Sequence, residues 1–182
     1  MNWRENLPAF KFLGIFLGVY LVGNLLYGFY IEWNYPVADS VTIWVSHQSS
    51  ILIEFLFGSP SSVVVSLVSP IVLLLEKGKT ILRVYEGCNG INVMIVFAAF
   101  ILAFNGISKR GALFILIGLA AIHLFNLVRI TLLFWVAKNH QSYFYYVHKY
   151  IFTAALYVIV VALWWIWVYR IVKEKSTQAV ER

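Results

Sequence analysis

Four apolar stretches, each near the length a helix needs to cross a lipid bilayer, dominate this 182-residue chain. They lie at about residues 9–29, 89–107, 112–136 and 147–172. A hydrocarbon core about 30 Å thick calls for roughly 20 largely apolar residues. Composition agrees, with 62% of residues hydrophobic, 12% charged and a mean hydropathy of +0.82. Soluble domains run at roughly 45–50% apolar and about 25% charged, so the solvent for most of this chain is lipid. The expected fold is an all-α integral membrane protein of one polytopic domain over residues 1–182, with about four transmembrane helices. Seven Trp and eleven Tyr suit the interfacial belts where amphipathic rings settle. The first stretch lacks a small-residue cleavage site after it and reads as a retained anchor.

Charge sets the orientation. Lys109 and Arg110 occupy the tight connection between the second and third stretches. Arg170, Lys173 and Lys175 follow the fourth, and Arg4 and Lys11 flank the start of the first. Basic residues in short loops mark the cytoplasmic side, so both termini are expected there. Residues 30–88 then lie outside. The net charge of +6 comes from these flanks; with no dense basic face, no nucleic-acid partner is expected. Lys77, Lys79 and Arg83 run against the charge rule, beside acidic Glu76 and Glu86.

Within the outer segment, residues 41–57 carry His47, Gln48, Ser49, Ser50 and Glu54 among apolar neighbours. That mixture reads as an interfacial or re-entrant helix. Residues 63–67, 71–75 and 80–85 are rich in β-branched residues and Leu, with Glu76-Lys77-Gly78-Lys79 between the last two. This pattern reads as a β-hairpin leading directly to Cys88.

Ionisable residues in membrane spans are costly and default to functional candidates. Arg129 lies about seventeen residues into the third stretch, roughly 25 Å from its start. It either snorkels to the headgroups or turns inward, where Asn126, three positions earlier, shares its helix face. His148 opens the fourth stretch among Tyr143, Tyr145, Tyr146 and Tyr150, and His140 competes with it from the preceding loop. His123 points to another face and reads as a packing or hydrogen-bonding residue. Cys88, the only cysteine, enters the second stretch. A lone cysteine is ordinarily a small buried hydrophobe. At a helix N-terminus near Arg and His it is also an activated nucleophile, with imidazole to move its proton and arginine to hold negative charge. Cys88, Arg129 and His148 fall at one depth. Neither a cofactor nor a metal is expected, because no helix carries His-x-x-x-His or Glu-x-x-His.

Glu86-Gly87-Cys88-Asn89-Gly90, Asn126-Leu127-Val128-Arg129-Ile130 and His148 resemble, in order and spacing, three sequence blocks of the exosortase/archaeosortase family. The resemblance implies a membrane-embedded cysteine endopeptidase or transpeptidase, with Cys88 as nucleophile and Arg129 and His148 as its partners. Glu86, Asn89, Gly90 and Asn126 take supporting places; Asn89 stands where the common family block has serine. The implied partners are secreted proteins ending in a short motif, an apolar helix and a basic tail, with room for a small membrane partner protein. The implied site is the outer face of a bacterial inner membrane. Size and aromatic character are most similar to the short type F exosortases of Bacteroidota. The competing reading is a non-enzymatic membrane assembly or export module whose polar outer face is a docking surface.

Overall fold

A computed structural model describes the backbone of residues 3–105 and 108–180, with side chains for 6–104 and 108–170. Arg4, Ile107, Lys173 and Lys175, which entered the span and orientation expectations, lie outside those side chains. The order is α1 (Trp3–Asn34), α2 (Ser40–Phe57), β1 (Ser61–Val65), β2 (Ile71–Glu76), β3 (Lys79–Tyr85), α3 (Ile91–Asn105), α4 (Lys109–Asn139), α5 (Phe144–Tyr146) and α6 (Phe152–Val180). A 3-10 turn, Glu86–Cys88, precedes α3, and a π-helical turn, Val147–Ile151, joins α5 to α6.

Among the described residues three stretches are long and apolar enough to cross a bilayer: Asn6–Asn34, Lys109–Asn139 and Gln141–Arg170. Of the second expected span, 89–107, the structure describes the 15-residue apolar helix α3. At 1.5 Å per residue it is about 22 Å long, short of a hydrocarbon core of about 30 Å. The loop expected before the fourth span is also mostly helical, since α4 runs to Asn139 and helical geometry resumes at Gln141. His148 therefore lies inside a helical stretch rather than opening one.

The helices alternate in direction. Phe12 meets Phe100 edge-on and Gly23 abuts Ile95, so α1 and α3 run antiparallel. Gly118 of α4 packs directly against the Phe97 ring of α3, and Phe114 contacts Trp167 of α6. These contacts surround one apolar core of Phe97, Ile101, Ile122, Val160 and Trp167 near the Lys109 end of α4.

A second core sits toward the Asn139 end, where α2 and the sheet pack on α4. The expected helix over 41–57 is α2. Asp39 starts it by accepting hydrogen bonds from the Val41 and Thr42 N–H groups at 2.9 and 3.1 Å. Gly58 ends it in left-handed geometry, φ +58°. Gln48 of α2 bonds the His123 ring at 2.9 Å and Trp44 stacks on it at 4.9 Å, which makes His123 a packing and hydrogen-bonding residue.

The expected hairpin is part of a three-stranded antiparallel meander, β1–β2–β3. Lys77 and Gly78, both at positive φ, form the two-residue turn between β2 and β3, the I′ geometry that matches strand twist. The expected run 63–67 contributes only as far as Val65, as part of the strand Ser61–Val65, which pairs the second edge of β2 where the side chains of Val72 and Leu74 are buried and unpaired backbone groups would be left unsatisfied.

Candidate active site

The site is built on the short turn between β3 and α3. Asn89 anchors it. Its Oδ1 accepts from the Ile91 N–H at 3.0 Å, capping the first turn of α3. Its Nδ2 donates to the Tyr27 hydroxyl of α1 and, at 2.9 Å, to the Thr42 hydroxyl of α2. Thr42 in turn donates a hydrogen bond to Asp39 Oδ2 at 2.6 Å, and Tyr27 donates to the Glu86 carbonyl at 3.4 Å. Asp39, Thr42 and Asn89 are all buried, so this chain of bonds satisfies groups that would otherwise cost stability. Tyr27, Asp39 and Thr42 are the residues that sequence reasoning missed. The only local trace of them was Asp39 ahead of an apolar run, a helix-start signal that says nothing about the distant Asn89.

Gly90 follows at φ +88°, a conformation open to glycine at little cost. A Cβ there would also sit 3.3 Å from Asn126 Cγ. The absent side chain lets Asn126 of α4 approach and donate to the Cys88 carbonyl at 2.9 Å. Asn126 Oδ1 in turn accepts from Arg129 at 3.2 Å, so the shared polar face expected of α4 exists as a bonded pair. Arg129 is half-buried, and its Nε has no hydrogen-bond partner among the described residues.

Cys88 is half-buried and lies in the 3-10 turn, three residues ahead of α3 rather than in its first turn. It opens into a cavity of about 380 Å³, within the range of small ligand sites. Residues 80–85 of β3 form one wall, and Ile130, Leu133 and Ala137 of α4 another. Gln141, Phe144 and His148 close the third side. Phe144 stacks on the His148 ring at 5.7 Å, and among the described residues neither ring nitrogen has a hydrogen-bond partner. The π-helical turn that carries His148 is a geometry enriched at functional sites.

Cys88 and His148 thus share one cavity. Arg129 does not line it. The guanidinium sits two hydrogen bonds behind the cysteine turn, linked to it through Asn126. His140 lies apart, against Trp135. Glu86 has a buried Oε1 with no partner among the described residues. Burial raises its carboxyl pKa above the usual range, and the neighbouring Asp39 charge adds to that.

The family model described as transmembrane exosortase (Exosortase_EpsH) matches residues 13–165. No curated protein and no solved structure matches the chain.

Proposed function

The chain belongs to the transmembrane exosortase family, and on that premise we propose that it is a membrane-embedded cysteine endopeptidase or transpeptidase acting on secreted proteins. The observation that carries the reading is the shared cavity of Cys88 and His148, with Asn126 bonding the Cys88 carbonyl from behind.

In this reading His148 takes the proton of the Cys88 thiol, and the sulfur attacks a peptide carbonyl carbon. The tetrahedral oxyanion collapses, the C–N bond breaks, and His148 returns the proton to the leaving amine. The product is a thioester on Cys88. Water then releases an acid, or an amine forms a new amide, with the thiol restored in either case. Arg129 is a positioning residue. It holds Asn126 on the cysteine turn and contributes positive charge near the developing anion. Glu86, Asn89 and Gly90 shape that turn.

The substrates in this reading are secreted proteins whose C-terminal signal combines a short motif, an apolar helix and a basic tail. The enzyme is a single polytopic domain in the inner membrane, of the short type F kind, and a small membrane protein is a candidate accessory. Both termini are cytoplasmic, α3 together with the turn leading into it completes a fourth crossing, and Cys88 faces the periplasm. The Lys109–Arg110 pair at one end of α4 and the Glu76–Lys138 ion pair at the other support that orientation.

Cys88→Ala at normal expression should abolish C-terminal processing of such proteins, read by mass spectrometry of secreted and membrane fractions. Undiminished processing in that strain sinks the peptidase reading in favour of an assembly module. Because Cys88 is the only thiol, a membrane-impermeant maleimide tests the orientation directly. Labelling should occur from the periplasmic side.

A further inference from the structure

The cavity beside Cys88 has one wall made of a strand whose outer edge is unpaired. β3 is an edge strand, and residues 80–85 line the cavity along it. From Tyr85 the chain passes through a single turn to Cys88.

The sheet register decides which backbone groups face that space. The Ile71 carbonyl accepts from the Ser66 N–H at 3.1 Å, so Ile71 turns its backbone groups toward β1. Along a strand these groups alternate sides, so Val72 and Leu74 turn toward β3. Their partners Val84 and Leu82 are thereby used in the ladder. The N–H and C=O groups of Arg83 and Tyr85 are left directed at the free edge. Exposed sheet edges are templates for a further strand, and proteins ordinarily cover or blunt them. This one stays open and ends at a thiol.

We propose that the β3 edge docks the substrate. The residues around the scissile bond would add as an extended fourth strand, hydrogen-bonded to Arg83 and Tyr85, and so deliver their carbonyl to Cys88. The proposal rests on the peptidase reading above. Main-chain bonds supply affinity in such strand addition, and alternate side chains supply selectivity. Here Ile130 and Leu133 of α4 offer an apolar wall to one set of alternating side chains. The exposed Arg83, with no ion-pair partner among the described residues, favours an acidic or carboxamide side chain on the other set.

Direction follows from the fold. Glu76, at the hairpin turn, pairs with Lys138 near the Asn139 end of α4, whereas the Cys88 carbonyl is held by Asn126, deeper along the same helix. β3 therefore descends toward the bilayer. A substrate segment that precedes a membrane helix descends too, so the added strand is parallel to β3.

The test uses a substrate defined by the cell: a tagged secreted protein whose processing stops in the Cys88→Ala strain. Cys88→Ala also removes the chain's only thiol. Arg83→Cys is placed in that background, and single cysteines are walked along the substrate through its cleavage point. Oxidation should link alternate substrate positions at least tenfold more than the residues between them, since a disulfide needs Cα atoms within about 7 Å. Tyr85→Cys should repeat the pattern, shifted two residues toward the substrate's C-terminus. Links at consecutive positions, no links from either variant, or disulfides joining two copies of this chain would each overturn strand docking. If processing of every secreted protein survives in the Cys88→Ala strain, the peptidase reading itself fails. If processing needs Cys88 but the links do not alternate, strand docking alone falls.

Discussion

α1 and α4 read alike as sequences: each is a long apolar helix with a single asparagine deep in its run. In the folded chain they have little in common. None of the most apolar stretch of α1 is buried within the protein, against 28% of that of α4. Asn24 of α1 donates to the Tyr20 carbonyl of its own helix at 2.8 Å, whereas Asn126 of α4 bridges the cysteine turn and Arg129. Gly14 and Gly18 of α1 face open space, whereas Gly118 of α4 lies against the Phe97 ring. Hydropathy reports that a helix enters lipid; it carries no information about which helix becomes the scaffold of a site.

The largest break in this comparison should come from the asparagines. Asn126→Ala frees the Cys88 carbonyl and leaves Arg129 without its partner. Misplacing a reacting group by about 1 Å can cost on the order of 100-fold in rate. Processing should fall by about that factor, and Cys88 should react faster with maleimide as its turn loosens. Asn24→Ala should change processing less than about twofold, because its bond is local. Equal losses from both variants would erase the distinction between the helices.

Glycine substitutions come next. Gly118→Ala drives a Cβ into the fully buried Phe97 ring, which must shift within a packed core. Overpacking of this kind costs about 1–3 kcal/mol, measurable as a lower melting temperature in detergent. Gly14→Ala should be neutral or slightly stabilising, given open space and the roughly 1 kcal/mol helix preference for Ala.

The smallest effect concerns Glu86, at the boundary between the α1 contact and the site. Its carboxyl pKa is raised in the folded state by burial and by Asp39. Below the ordinary carboxylate range both folded and unfolded forms are protonated, and the residue costs nothing. As pH rises through the raised folded value, the unfolded chain releases the proton first, so stability falls. Glu86→Gln should flatten this fall in thermal unfolding as pH rises from the ordinary carboxylate range, with its greatest gain over wild type above the raised folded value. An unchanged pH profile would place the carboxyl in solvent.

Much of the site was legible before folding because polar residues are rare in this chain. Cys88, Asn126, Arg129 and His148 stand out in apolar surroundings, and the three-residue spacing of Asn126 and Arg129 already put them on one helix face. Strand pattern and the Lys77-Gly78 turn made β2 and β3 readable for the same local reason. The turn at Glu86–Cys88 was not readable as such, because the glycine-containing run marks a break without fixing its geometry, and helical geometry begins only at Ile91. Nor was β1 as a partner strand, or the helical continuity from Gln141 into α6.

What the sequence alone determined is what depends on local sums and short spacings. These are residence in a membrane, the apolar helices, the lone thiol and the polar face of α4. Only the tertiary structure decided that Asn89 reaches Tyr27 and Thr42, residues 62 and 47 positions away. It alone put Arg129 behind Asn126 rather than on the cavity wall, and left the β3 edge open beside Cys88. The physical reason is range. Lipid partitioning adds up residue by residue along a segment, whereas contacts between segments depend on which helix faces and strand edges close packing brings together.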